Sequence, residues 1–403
     1  ELFRRVVGNG VATAGLARAW ADSCGRAVQW LRDAGVEVTI DPRTGQHWLE
    51  HESRVALRPV YRQDVGTKVL AKLRDAFLAS GGTFWPATKA LALCTSRTSA
   101  VDGLTVQRNG AFDQINSRAV ILATGGFSAN QEMLSRYVGR RAGECKVRGS
   151  SSDTGDGLRM ALEAGAAAVN LSYFYGHLQP LKALADDRFW PYPRLDDLVL
   201  QGILVDGAGL RFVDEGQGDV FVSNALAAGS DPRGACLIFD QQTWDAAAST
   251  EVSSLAQLPG PNPWLKDNDG DLYEAATAEQ LATLLEISGA NLNETIEQVN
   301  AAVEGRGVAL KVPRTGRLRA LKAPFYGLRV VPGITFTMGG VRIDGQARVL
   351  NLDGLAIEGL YAVGDAIGGL MGGLAGGYTG GLSQAVVTAL LAGESATQLA
   401  ALH

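Results

Sequence analysis

Two short apolar runs that break into glycine constrain this chain more than any other feature. Arg118-Ala-Val-Ile-Leu-Ala-Thr-Gly-Gly and Gly359-Leu-Tyr-Ala-Val-Gly-Asp are too short for a core helix and too apolar for an exposed strand. A continuous apolar run of this length reads as a strand buried on both faces, as in a parallel sheet. Glycine at its end lets the backbone lie directly against a ligand. The chain carries 50 glycines in 403 residues, densest from Gly364 to Gly381. Typical usage is about 7%, so clustered glycine here points to a bound cofactor rather than to loops alone.

The rest of the pattern fits an α/β protein of two or three domains. Ala12–Ala34 has helical spacing stopped by Gly35, and a strand from Val36 to Ile40 follows. A second helix is expected over Asp64–Leu78, and strands over Thr83–Pro86, Ala90–Thr95 and Leu104–Arg108. Asn109-Gly110 then turns a hairpin into Phe112–Ile115. Helices are expected at Asn130–Tyr137, Gly155–Gly165, Ala278–Ser288 and Asn293–Val303, the last capped by Asn293. Gly340–Asp344 and Ala347–Leu350 read as a hairpin, and a long apolar helix closes the chain from Gly381 to Leu402. The stretch from about Tyr175 to Leu328 changes character and reads as a second domain inserted into the first.

With a net charge of −5, nothing argues for nucleic acid or an anionic membrane. No uncharged apolar run is long enough for a membrane span. Four scattered cysteines without a C-x-x-C pair predict a reducing, cytoplasmic setting with no disulfide framework and no zinc site.

Three passages, in order, resemble the flavoproteins that include fumarate reductases, succinate dehydrogenase flavoprotein subunits, tricarballylate dehydrogenase-like proteins and 3-ketosteroid dehydrogenases. They are Ala119-Val-Ile-Leu-Ala-Thr-Gly-Gly-Phe, Gly209-Leu-Arg-Phe-Val-Asp-Glu-Gly, and the set Pro332-Gly-Ile-Thr-Phe-Thr-Met-Gly-Gly with Gly359-Leu-Tyr-Ala-Val-Gly-Asp. The resemblance implies a Rossmann-like FAD-binding domain over residues 1–174 and 329–403, with an inserted α+β capping domain over 175–328. It implies FAD as cofactor, held by Ala123, Thr124, Gly125, Gly126, Asp156, Gly364, Asp365, Gly380, Gly381, Leu382 and Ser383. The family's first strand and G-x-G-x-x-G turn do not precede Glu1, and Gly8-Asn-Gly10 does not replace them, because no strand leads into it. The FAD-binding domain is therefore expected to be incomplete at its N-terminus. An unrecorded segment, a second chain or a redox partner is expected to complete it.

The family's catalytic positions are mostly changed. His177 is retained, Asp219 stands where a donor arginine is expected, and Thr335 or Phe336 replaces a histidine. An arginine near the last glycines aligns with Ala375 or its neighbours. A site without those cations would hold fumarate poorly, and Asp219 would repel it. The expectation is therefore oxidation or reduction of a C–C bond α,β to a carbonyl or carboxylate, in a less anionic small molecule. His177, Tyr378 and Thr335 are the catalytic candidates, with Tyr175 beside them. Arg211 and Glu215 are expected to be structural partners, and Arg194, Arg329 and Arg342 surface groups able to anchor a carboxylate. A pocket lined by Phe174, Tyr175, Phe189, Trp190 and Tyr192 would favour a 3-ketosteroid dehydrogenase-like activity. The competing class is a non-catalytic relative that has lost FAD binding.

Overall fold

The computed structural model describes residues 12–40, 47–49, 64–190, 193–253, 256–373 and 376–401. Its helix Ala14–Asp33 starts where Thr13 Oγ1 accepts the Leu16 N–H at 3.3 Å. It stops because Gly35, at φ +83°, takes a left-handed conformation that sends Val36 N–H back to Leu31 O at 2.9 Å. Leu31 and Val36 pack in the same small apolar cluster, which closes the cap. Leu16, Ala17, Trp20 and Ala27 face inward. This helix lies against the last one, Gly381–Ala401, with Arg26 and Glu394 paired at 2.5 Å.

A strand of thirteen residues, Phe325–Thr337, is the spine of a six-stranded sheet. Its first half pairs antiparallel with Ala235–Asp240 and Tyr273–Ala275. Its second half pairs antiparallel with Phe174–Pro180 and parallel with Lys146–Val147. Both faces of this sheet are covered. Ala235, Leu237 and Phe239 enter one apolar cluster while Cys236 and Ile238 enter another. That is why Ala-Cys-Leu-Ile-Phe reads as an unbroken apolar run and not as an alternating one.

The two runs that open the sequence argument are neighbours. Val120–Leu122 and Ala356–Ala362 pair in parallel, in the register Leu360 with Val120 and Ala362 with Leu122. Arg348–Leu350 adds an antiparallel third strand. Only part of the expected double burial is present, because Ile121 is 41% exposed. Among the described residues Val120–Leu122 is an edge strand, and one of its faces is uncovered.

Other expectations need correction. Asn293 does not cap a helix: the helix is Gly289–Val303, and Ser288 Oγ accepts the Asn291 N–H. Asn293 lies within it and pairs with Glu297 one turn on. Thr83–Pro86 is not a strand; Phe84 and Trp85 are exposed, and the strand begins at Thr88. Gly340–Asp344 and Ala347–Leu350 do join through a tight antiparallel turn, with the Ile343–Val349 bridge and Asp344 N–H donating to Arg348 O at 3.1 Å, but their strands Gly340–Arg342 and Arg348–Leu350 belong to different sheets. The hairpin at Asn109-Gly110 forms as expected, with φ of +51° and +81° at the two turn residues. No helix among the described residues is long and apolar enough to cross a membrane. Gly8, Asn9, Gly10, Tyr192 and Ala375 lie outside the described residues.

Candidate active site

The parallel pair ends at two glycine turns that meet. Val363 N–H donates to Leu122 O at 3.0 Å, just before Thr124-Gly125-Gly126 and Gly364-Asp365. A Cβ on Gly126 would lie 2.1 Å from Thr337 Oγ1 and 3.3 Å from Asp365 O. Gly125, at φ +72°, packs equally tightly on the Asp153 carboxylate. A crevice at the C-terminal ends of parallel strands is where open α/β sheets bind ligands. Asp156 opens the helix Asp156–Glu163, whose Gly157 packs on Thr124. Its carboxylate reaches Lys89 at 3.7 Å and Thr154.

The last helix is pinned to the same place. Gln384 Nε2 donates to Gly364 O at 2.9 Å, and Gly364 N–H donates to Thr388 Oγ1 at 3.0 Å. Gly380, at φ +94°, turns the chain into that helix, and Ser383 Oγ closes the turn on Thr379 O and Gly380 O. Leu382 is exposed. The first-turn N–H groups of a helix have no intrahelical acceptor and carry its positive end.

Tyr378 sits at this turn, its hydroxyl accepting the Gly381 N–H at 3.4 Å. Its ring stacks on Tyr175 with centroids 4.2 Å apart, and Tyr175 stacks in turn on Phe336 at 5.3 Å. The Tyr175 hydroxyl meets His177 Nε2 at 3.0 Å. On the other side of the imidazole, Nδ1 lies 3.1 Å from Asp196 Oδ1. Asp219 Oδ2 makes a close ion-pair contact with the same Nδ1, but without hydrogen-bond geometry of its own. The sequence therefore placed three separate candidates, His177, Tyr175 and Tyr378, that the fold joins into one row.

Burial works against a charge on His177, but its hydrogen bond to Asp196 and its close contact with Asp219 prevail and raise its pKa above the ordinary value. Burial would also raise Asp196, yet the hydrogen bond and charge of His177 hold it below the usual carboxylate range. Asp219 goes the other way: burial, with the neighbouring Asp196 charge, pushes it up against the pull of His177. Tyr175 and Tyr378 are both raised, chiefly by burial. One ring nitrogen of His177 and one carboxylate oxygen each of Asp196 and Asp219 fall within 4.8 Å of one another.

Thr335 falls where the pairing of Phe325–Thr337 with Phe174–Pro180 shifts register, between Ile334 and Phe336. A bulge of this kind re-aims a side chain. Thr335 Oγ1 accepts from Arg148 Nη1 at 2.8 Å, and Arg148 N–H donates to Ile334 O. Arg148 and Arg194 both lie close enough to Tyr175 to act on its charge. Arg194 also pairs with Asp196 at 3.4 Å. Arg329 is turned away toward Glu286 and Leu285 O, and Arg342 is exposed. Phe174 is fully buried in the cluster that Tyr175 and Phe336 also join, whereas Phe189 is fully buried in another, so the expected residues do not line one pocket. Phe336 takes the place beside Tyr175. Arg211 and Glu215 form a buried ion pair at 2.6 Å, as a structural role requires.

The chain matches the FAD binding domain family over residues 4–382 and belongs to it. NADH:acrylate oxidoreductase of Vibrio harveyi is 29% identical over 352 residues, 84% of this chain and 32% of that protein. 4-oxocyclohexanecarboxylate 2-dehydrogenase of Sinomonas cyclohexanicum is 32% identical over 284 residues, 62% of this chain and 46% of that protein. A 3-ketosteroid-delta4-(5alpha)-dehydrogenase from Rhodococcus jostii RHA1, solved with 4-androstene-3,17-dione, superposes with a TM-score of 0.68 at 20% identity. That likeness covers 98% of this chain and 83% of the other, and shows the fold. The chain spans 32% to 46% of the length of these two curated relatives.

FAD is the cofactor of this family, and the residues fit it on one observation in particular. Asp365 Oδ1 is buried with no hydrogen-bond partner where the glycine turns meet. Burial, with the charge of Asp153, pushes its carboxyl up to about 7. A carboxylate accepts hydrogen bonds only, so the complement it lacks is a donor, and a bound molecule's hydroxyl is one such group.

Proposed function

We propose that this chain is the catalytic part of an FAD-dependent oxidoreductase, a dehydrogenase or ene-reductase, that acts on a C–C bond α,β to a carbonyl or carboxylate. The observation that carries the reading is the row Tyr378–Tyr175–His177, which ends beside Gly381 where the expected cofactor residues converge. Bound FAD supplies hydride acceptance and donation at its N5 atom. Tyr378 holds a proton at its hydroxyl on the edge of that site, and Phe336 and Tyr175 form an apolar wall that excludes water. Thr335 fixes Arg148, which with Arg194 orients a carboxylate or polarised carbonyl.

Within this class the first reading is an aliphatic carboxylate, tricarballylate dehydrogenase-like. The two arginines support it, as do relatives named for acrylate and for an oxocyclohexanecarboxylate. The stack of Tyr175, Tyr378 and Phe336 favours a second reading, a 3-ketosteroid dehydrogenase-like activity. Residues 1–174 and 329–403 make the FAD-binding domain in this account, and 175–328 the capping domain. A redox partner supplies or takes up the electrons in this account. The free cysteines support a reducing, cytoplasmic setting.

The test is anaerobic mixing of the FAD-loaded protein with acrylate, fumarate, tricarballylate, 4-oxocyclohexanecarboxylate and 4-androstene-3,17-dione. Each is presented to the oxidised flavin and to the dithionite-reduced flavin. The reading expects bleaching or recovery of the flavin bands with at least one of them. A loaded protein whose flavin answers to none would refute it.

A further inference from the structure

His177 is buried, 3% exposed, and yet two carboxylates meet its Nδ1. They come from different elements. Asp196 opens the helix Asp196–Gln201 and Asp219 opens the helix Asp219–Ala228. One N–H cannot serve two ionised acceptors in a buried place without repulsion between them. The arrangement is relieved when one carboxyl keeps its proton and donates it to the other. The two carboxyls diverge in that sense: burial and the Asp196 charge push Asp219 up, whereas His177 holds Asp196 low against its own burial.

We propose that Asp196 and Asp219 make His177 the proton store of the site, with Asp196 as the positioning residue, and that Tyr175 carries the stored proton to Tyr378. The proposal rests on the catalytic reading above for the group that finally receives the proton. Asp196 accepts Nδ1–H and so fixes which proton stays on the ring. Nε2–H is the one that leaves. When Tyr378 Oη gives its proton to a substrate carbanion, Tyr175 Oη gives its own to Tyr378. His177 Nε2 then gives its proton to Tyr175 and becomes neutral, still carrying Nδ1–H. One proton passes, no electron moves, and after product leaves water at the exposed Tyr378 returns a proton through Tyr175 to Nε2. In the oxidising direction the same steps run backward. The groups acting on the row are Asp196, Asp219 and Arg194 at the histidine end, Arg148 at Tyr175, and Asp365 at Tyr378. Neutral Asp219 leaves a single negative charge facing the imidazolium, the pairing a buried cation needs.

The chain has four histidines, so the experiment is tractable. The FAD-loaded full chain is labelled with 15N-histidine and titrated by NMR, with His177→Gln giving the assignment. His177 should show both ring nitrogens protonated at pH values where histidines near the ordinary pKa of about 6.5 are already neutral. Asp196→Asn should lower its midpoint by at least about one unit, since a charged partner is worth about that much. Tyr175→Phe keeps the stacked ring and should leave the midpoint in place. In the active enzyme that variant should cut kcat by about a hundredfold with KM little changed. If Asp196→Asn does not fold, Asp219→Asn is titrated instead; it removes no charge and should leave the midpoint high, and a fall of a unit or more overturns the proposal.

A His177 that titrates like an exposed histidine overturns the proposal. So does a Tyr175→Phe enzyme with undiminished kcat, or one tightly held divalent metal per chain whose removal by EDTA moves the His177 midpoint. If the wild type turns over none of the substrates, the functional reading falls separately. The NMR titration still decides the proton store.

Discussion

Asp365→Asn should make the FAD-free protein more stable at neutral pH while making it a poorer flavin binder. The folded chain buries this carboxyl with no partner for Oδ1 and holds its pKa at about 7, up from the ordinary 3.8. The folded state therefore binds a proton more tightly than the unfolded one. Its contribution is fully present below the unfolded pKa and is lost as pH rises through the folded pKa. Stability falls between about pH 4 and pH 7 for this reason and then levels off. Roughly three units at about 1.36 kcal/mol each give an upper bound of about 4 kcal/mol at pH 8. Relaxation and water entry reduce that to about 1–3 kcal/mol. Asparagine, which does not ionise, escapes the penalty. Urea unfolding of the FAD-free variant and wild type at pH 5 and pH 8 reads it directly. The variant's advantage should grow from pH 5 to pH 8, while its FAD dissociation constant rises about 10- to 100-fold through loss of a charged hydrogen bond. An advantage that is absent at pH 8, or equal at both pH values, would refute the reasoning.

Three further perturbations follow from the same geometry. Gly126→Ala puts a Cβ 2.1 Å from the fully buried Thr337 hydroxyl, which also accepts Phe127 N–H. It should cost about 1–3 kcal/mol by urea midpoint and loosen FAD. Glu215→Gln strips the charge from a carboxylate that is 0% exposed and bound by Arg211 and the Leu204 N–H. It should cost about 3–5 kcal/mol by thermal unfolding, because the Arg211 guanidinium stays buried. Thr335→Val removes the oxygen that fixes Arg148. KM for an anionic substrate should rise about tenfold, with the melting temperature little moved.

What was legible in the sequence was local or repeated. The two glycine-ended strands, the Gly35 stop and the Asn109-Gly110 hairpin each depend on a few adjacent residues, and each formed. The cap of the helix Gly289–Val303 went to Ser288 because serine and asparagine both compete for that role, and the tertiary structure placed the helix start earlier. The row around His177 was legible only as a set of names. His177 and Asp219 are far apart in sequence, and their contact is made by strand pairing on one side and a helix start on the other. In the sequence Asp219 shows only its sign, that of a group that repels a dicarboxylate, whereas the fold turns it onto the imidazole. Arg148 carried no local signal. It reaches Thr335 through a parallel pairing and a register shift that a single sequence does not encode.

The most direct test of the central claim is the visible absorption spectrum of the purified protein after gel filtration, taken before and after denaturation. The account predicts flavin bands that travel with the protein, that come off into solution when it is denatured unless the flavin is covalently held, and that weaken in Asp365→Asn. A folded but colourless protein that also fails to take up added FAD would contradict it, and would favour the non-catalytic relative instead.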